Sequence, residues 1–187
     1  MSNKFSAIWM EFIPNHDLGH HLSDASKSEV LDWPKRLQII MGICKGLGFL
    51  HGREKPIRHL DLKPANILLD KDLTPKIADF GLSRIYNDNK TRLTKSSYGT
   101  VEFMPPEYQE FPFEISMKFD IFSLGATMIK IITGPEGNIK RDQTPGKEEY
   151  IKRVRTSAFP LYLDIHNMYV SLFIPSADYF LYYALHG

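Results

Sequence analysis

The run Arg58-His59-Leu60-Asp61-Leu62-Lys63-Pro64-Ala65-Asn66-Ile67-Leu68-Leu69, followed thirteen residues after Asn66 by Asp79-Phe80-Gly81, decides how this chain is read. It sets two carboxylates, a lysine and a carboxamide on short loops between apolar runs. Ile67-Leu68-Leu69 reads as one short strand and Lys76-Ile77-Ala78 as a second, with a tight turn over Lys71 to Thr74 between them. Such a hairpin puts Asn66 at the start of one strand and Asp79 at the end of the other, on one edge. Their oxygens are hard donors of the kind Mg2+ takes alongside phosphate. Asp61 is placed to accept a hydroxyl proton. Lys63, two residues on along an extended loop, can reach a transferring phosphoryl group.

The flanks supply the elements such a site needs. Ser6 to Ile13 is a mostly apolar run ended by Pro14-Asn15 and reads as a strand entering a turn. A short polar helix fits Leu18 to Leu22, and the adjacent His20 and His21 read as a solvated face rather than a metal pair. Asp32-Trp33-Pro34 is a helix start, with Asp32 as cap and Pro34 in the first turn. From Leu37 to Leu50 apolar residues fall on nearly every face, which predicts a buried central helix ending near His51-Gly52. Gly42, Gly46 and Gly48 would let another element approach closely. Leu82 to Met104 is polar with little periodicity and predicts a long functional loop. Lys118 to Thr133 predicts a second buried helix, stopped by Gly134-Pro135, and Lys147 to Arg155 a short basic one.

Composition bounds the class. The 187 residues are long enough for one domain with a core, and 43% apolar with 24% charged residues is the balance of a globular protein. A formal net charge of +1 gives no case for nucleic acid or an anionic membrane surface. Cys44 is the single cysteine, so no disulfide framework exists and a reducing, cytoplasmic setting is expected. Met168 to Leu185 is aromatic and aliphatic, but Pro175 and Asp178 interrupt it and argue against a membrane-spanning helix.

With Asp79-Phe80-Gly81 and Met104-Pro105-Pro106-Glu107, the His59 to Asn66 run resembles the catalytic lobe of a eukaryotic protein kinase. Lys63-Pro64 is similar to the serine/threonine-specific branch. Glu11-Phe12-Ile13-Pro14-Asn15 is similar to the hinge of plant receptor-like kinases. The resemblance runs from about Ile8 to Arg155, so residues 1–156 are expected to form a partial kinase domain and residues 157–187 an aromatic tail outside its pattern. The implied fold is mainly α with a small β-hairpin, a kinase-like C-terminal lobe with the N-terminal lobe missing. The resemblance implies ATP and Mg2+ as cofactors and a protein substrate. It makes Asp61 the catalytic base, Lys63 its assistant at the phosphoryl group, and Asn66 and Asp79 the metal ligands. Met10 becomes the gatekeeper, the backbone of Glu11 and Ile13 the adenine partners, and Leu68 the floor beneath the ring. Thr100 would contact Asp61, and Asp120 would brace the catalytic loop. Thr91, Thr94, Ser96 and Ser97 become candidate phosphorylation sites.

Departures from the family pattern shape the expectation. Leu60 stands where an arginine is expected, so a phosphate on the later loop has no charge partner there. Glu102 stands where the family usually has glycine. No Gly-rich loop, strand lysine or partner glutamate precedes the hinge. The expected activity is therefore phosphoryl transfer from ATP to protein hydroxyls, impaired in this chain. The alternative is a non-catalytic lobe that docks on other proteins, full-length receptor-like kinases among them, with membrane association only through such partners, or a fragment with no function of its own.

Overall fold

The computed structural model describes residues 9–86, 92–94, 99–105, 108 and 113–137. Two long helices organise them, α3 (Trp33–His51) and α4 (Met117–Thr133), after two single-turn helices, α1 (Leu18–His21) and α2 (Ala25–Ser28). The strands pair antiparallel in three two-stranded sheets: β1 (Ile57–Arg58) with β4 (Arg84–Ile85), β2 (Ile67–Leu69) with β3 (Pro75–Ile77), and β5 (Arg92–Thr94) with β6 (Phe113–Ile115). Only the β2–β3 hairpin is expected from the sequence. The polar stretch after Leu82, expected as loop, contributes β4 and β5. Strands of two or three residues are too short to show a period.

α3 starts where the sequence says it should. Asp32 Oδ1 accepts from the Lys35 N–H at 3.1 Å and caps the free end, and Pro34 occupies the first turn. Ile39, Ile40, Ile43, Cys44 and Leu47 are buried, but Lys45 and Phe49 face water. The helix is thus half-buried, a correction to the expected central one: counting apolar residues alone gives Phe49 to the core, whereas it lies exposed with the Arg53 guanidinium 5.0 Å from its ring. Two of the three glycines, Gly42 and Gly46, admit a close neighbour as expected. A Cβ on Gly42 would stand 2.4 Å from Pro75 Cγ, and one on Gly46 3.0 Å from Ile77 Cδ1, so β3 lies directly against the helix. Leu18, Leu22 and Leu31 join α3, β2 and the α4 residues Leu124, Met128 and Ile131 in one core.

α4 is capped by Ser116, whose Oγ accepts from the Lys118 N–H at 3.2 Å, and it ends at Gly134 with φ of 62°. Arg36 ties its far end to α2 and α3. The guanidinium donates to Leu31 O at 2.7 Å, to Ser28 O at 2.9 Å, and to Ile131 O. Burial lowers the Arg36 pKa from its ordinary value, and four acceptors including Ser28 Oγ compensate the lost water.

Residues 9–13 show no strand, against expectation: Trp9 and Phe12 are 96% and 85% exposed. The turn that follows is present. Asn15 N–H donates to Leu69 O at 3.2 Å and Leu69 N–H to His16 O at 3.0 Å, which lays this segment along β2. His20 stacks on His16 at 4.3 Å, and His21 Nε2 donates to Asn15 O at 2.8 Å. Among the described residues no group of His, Cys, Asp and Glu is arranged to hold a metal, and no helix is long and apolar enough to cross a membrane. The expected basic helix from Lys147 to Arg155 and the aromatic tail lie outside the described residues.

Candidate active site

The site is built on a loop that α4 holds from behind. Asp120, in the first turn of α4, is fully buried. Its Oδ2 accepts from the His59 N–H and from His51 Nε2, each at 2.8 Å, and its Oδ1 accepts from the Leu60 N–H at 2.8 Å. A buried carboxylate is tolerable only when its lone pairs are used this fully. The bracing expected of Asp120 is therefore present as three named bonds. His51 had no assigned role in the sequence, and its place at a helix C-terminus is the one signal that could have suggested a polar partner.

Leu60 adopts φ of 67°, a left-handed conformation that strains a branched side chain. Its side chain packs with Met104, Tyr108, Ile115 and Phe119. The position where an arginine was expected is thus an apolar anchor. Gly99, at φ of 110°, faces it closely: a Cβ there would stand 2.9 Å from Leu60 O.

Turning the chain at Leu60 brings Asp61 to a cluster of donors. Lys63 Nζ lies 2.8 Å from Asp61 Oδ2 and donates to Thr100 Oγ1 at 2.7 Å. Thr100 Oγ1 in turn donates to Asp61 Oδ1 at 3.0 Å. Asn66 Nδ2 donates to Asp61 Oδ2 at 3.0 Å and to Asp61 O at 2.8 Å. Four of the residues singled out in the sequence, Asp61, Lys63, Asn66 and Thr100, therefore meet. Oδ1 carries one bond against two on Oδ2, which leaves it the better acceptor for an incoming hydroxyl.

Asn66 spends its amide nitrogen on Asp61, so its Oδ1 accepts no hydrogen bond among the described residues and remains a hard donor. Ala78 N–H donates to Asn66 O at 2.9 Å, which fixes Asp79 one residue beyond the same hairpin edge. Asp79 is exposed at φ of 60°, with Oδ1 accepting from Gly81 N–H at 3.2 Å. The next side chain, Phe80, meets the His59 ring edge-on at 5.0 Å. His59 Nε2 bonds Ala78 O at 2.9 Å, which joins the catalytic-looking loop to the Asp79 turn. An amide oxygen and a carboxylate at one edge suit Mg2+, which takes few protein ligands and completes its shell with water and phosphate.

Of the four residues expected around adenine, Glu11 is tied to the hairpin: its carboxylate lies 2.6 Å from Lys76 Nζ, and Lys76 is the cross-strand neighbour of Leu68. Leu68 and Ile13 are half-buried. Met10 is 73% exposed and packs in no core cluster of the described residues. Of the candidate phosphorylation sites, Thr94 contributes backbone to β5; Thr91, Ser96 and Ser97 lie outside the described residues, as does Glu107.

The protein kinase domain family matches residues 1–169. The chain is 46% identical to Cysteine-rich receptor-like protein kinase 27 of Arabidopsis thaliana over 126 residues, 66% of this chain and 20% of that protein. It is 41% identical over 156 residues to a G-type lectin S-receptor-like serine/threonine-protein kinase of the same plant, 82% of this chain and 18% of the relative. Cysteine-rich receptor-like protein kinase 42 matches at 42% over 135 residues, 71% of this chain and 20% of its own length. The chain thus spans about a fifth of the length of these relatives. It belongs to the protein kinase domain family.

Proposed function

We propose that the chain, as a member of the protein kinase family, forms the C-terminal lobe of a serine/threonine kinase and carries the acceptor side of its active site. The reaction is transfer of the ATP γ-phosphoryl group to a protein hydroxyl. One observation carries the reading: Lys63, Thr100 and Asn66 converge within 3.0 Å on the Asp61 carboxylate.

In this reading Asp61 Oδ1 accepts the hydroxyl proton of the acceptor and aims its oxygen. Lys63 offsets charge that develops on the phosphoryl oxygens, and Thr100 holds both in register. Asn66 Oδ1 and the Asp79 carboxylate hold Mg2+, which supplies charge neutralisation on the phosphates when bound. The backbone of Glu11 and Ile13 would hold the adenine of ATP, with Met10 and Leu68 as its apolar neighbours. Support for that comes from the Glu11–Lys76 pair, which keeps residues 11–13 along the hairpin that carries Leu68. The test is transfer from labelled ATP with Mg2+ to a serine-rich acceptor protein by the purified chain. Asp61→Asn should lower transfer by about 100-fold or more, the scale of a lost general base. Transfer that is equal in wild type, Asp61→Asn and Asp79→Asn sinks the assignment.

A second reading has its own observation. Trp9, Met10 and Phe12 stand in solvent at 96%, 73% and 85% exposure within four residues. Such an apolar trio suits docking on another protein domain, a receptor-like kinase included. Titration with the kinase domain of such a relative, wild type against Trp9→Ser with Phe12→Ser, reads it out; equal affinity removes this reading.

A further inference from the structure

Arg58 stands immediately before His59, and it is 0% exposed. It ends β1, whose pairing with β4 sets it opposite Arg84. Two contacts hold its guanidinium. Cζ lies 3.8 Å from the centroid of the Tyr86 ring, and Nη1 donates to Ile115 O at 3.1 Å. An apolar side chain would fill a buried site at far lower desolvation cost. What a guanidinium adds is a flat face and a fork of donors, so it can stack on a ring and bond a carbonyl at once.

The two partners stand at either end of one stretch of chain. Tyr86 follows β4 directly, and Ile115 is the last residue of β6, with residues 87–114 between them. That stretch carries Thr100, whose Oγ1 donates to Asp61 Oδ1 at 3.0 Å. Both partners also meet the apolar cluster that anchors Leu60: Ile115 belongs to it, and Tyr86 packs against it. Further bonds tie the same segments together. Tyr86 N–H donates to Pro56 O at 3.0 Å, and Ser83 Oγ donates to His59 O at 3.2 Å. Leu60 turns the chain at φ of 67° and presents Asp61 to Lys63 and Thr100, so a loosened cluster is felt at that carboxylate.

We propose that Arg58 is a positioning residue for the Asp61 loop: its guanidinium clamps Tyr86 and Ile115 and so fixes both ends of residues 87–114 against that loop. The proposal rests on the kinase reading above for what Asp61 does there. It also says how the loop is held without the arginine expected at Leu60. Arg58, two residues earlier, is buried out of reach of a phosphate. The clamp is therefore built in, closed by a ring face and a carbonyl rather than by modification of the stretch it holds.

The experiment compares the whole chain with Arg58→Met, Tyr86→Leu and Tyr86→Phe. Methionine fills the buried site without the charge, leucine removes the ring face, and phenylalanine keeps it. Amide hydrogen exchange is read at Leu60 and Asp61 and, as a reference for global stability, along α3. Arg58→Met and Tyr86→Leu should each accelerate exchange at Leu60 and Asp61 about 10-fold more than along α3, the scale of a cation–ring contact out of water. Tyr86→Phe should keep the wild-type ratio. An equal rise in both regions, or no rise, overturns the proposal, as does a Tyr86→Phe result equal to that of Tyr86→Leu. Should Arg58→Met fail to fold, the two Tyr86 variants decide, since that side chain is only half-buried. Transfer from ATP and Mg2+ to a serine-rich acceptor protein is followed in parallel. With an active wild type, Arg58→Met and Tyr86→Leu should lower kcat about 10-fold and leave KM for ATP unchanged, because the clamp acts through Asp61 and Thr100 and not through the residues proposed to hold ATP; an unaltered kcat overturns the proposal. If the wild type transfers nothing while the exchange ratio still responds, the kinase reading falls and the clamp on the loop stands.

Discussion

Asp120→Asn isolates what the buried carboxylate of α4 does for the active-site loop. The carboxylate accepts three hydrogen bonds, from His59 N–H and His51 Nε2 on one oxygen and from Leu60 N–H on the other, each at 2.8 Å. Asparagine keeps the shape but turns one acceptor into a donor. Its better arrangement keeps oxygen toward His59 and His51 and points its NH2 at the Leu60 N–H. That leaves two buried donors unmet, the Leu60 N–H and the new NH2, ~1–3 kcal/mol each, and weakens two charge-assisted bonds to neutral ones, ~0.5–1 kcal/mol each. Removing a buried charge relieves some desolvation, which offsets part of the loss. The expected net destabilisation is about 2–4 kcal/mol. Urea unfolding with an unchanged slope measures it. Because Leu60 is held at φ of 67° by that same bond, amide exchange at His59 and Leu60 should accelerate more than exchange along α3. A loss under about 0.5 kcal/mol with the two amides still protected refutes the bracing role, since surface substitutions already reach that size.

Three further outcomes follow from packing and charge. Gly42→Ala drives a methyl into the Pro75 ring, 2.4 Å from Cγ, and should cost ~1–3 kcal/mol, whereas Gly46→Ala meets only the movable Ile77 Cδ1 at 3.0 Å and should stay within ~1 kcal/mol of wild type; paired thermal melts decide, and equal costs refute it. Leu60→Arg places a guanidinium among Met104, Tyr108, Ile115 and Phe119 and should cost ~3 kcal/mol or more in denaturant unfolding, so a neutral result would show that this cluster is not closed. Asp24 caps α2, and its carboxylate is held below its usual range first by the Lys27 N–H and then by the Ser26 hydroxyl; Asp70 is held low by the Thr74 N–H. A folded pKa below the unfolded one adds stability that is full above the ordinary carboxylate range and fades as pH falls through it. Asp24→Asn with Asp70→Asn should flatten the acid limb of Tm against pH, and an unaltered limb refutes the assignment.

How much was legible follows element length. α3 and α4 declare themselves through many turns of apolar spacing and through Asp32, Pro34 and Gly134 at their ends. The hairpin is legible because Asp70 to Thr74 is rich in turn chemistry, and Asp70 Oδ1 does accept from Asp72 N–H and Thr74 N–H at 2.9 Å. The Asp61, Lys63 and Asn66 grouping is legible because those residues are close in sequence. Thr100 and Asp120 are distant in sequence, and only the family resemblance connected them to the loop. The pairs β1–β4 and β5–β6 were not legible, since their register depends on partners far along the chain. Nor was the exposure of residues 9–13, because an apolar run carries no mark of whether another surface covers it.

The backbone strain around the site has a geometric origin. Leu60 and Asp79 are both non-glycine residues at positive φ, and each lies beside, or is, a residue to which the proposed function gives a role. Left-handed residues reverse the chain within one step, which lets Asp61 face Lys63 and Thr100 while Leu60 stays in the apolar cluster with Phe119. The same reversal at Asp79 frees its carboxylate to solvent while Phe80 packs on His59. Each costs of order 1–3 kcal/mol, and each is met by a specific bond, Asp120 Oδ1 for Leu60 N–H and Asp79 Oδ1 for Gly81 N–H. The first bond is buried and charge-assisted; the second is exposed and 3.2 Å long. The acceptor-side loop is therefore the rigid member of the pair, and the Asp79 turn is the one whose conformation should respond to a bound cation.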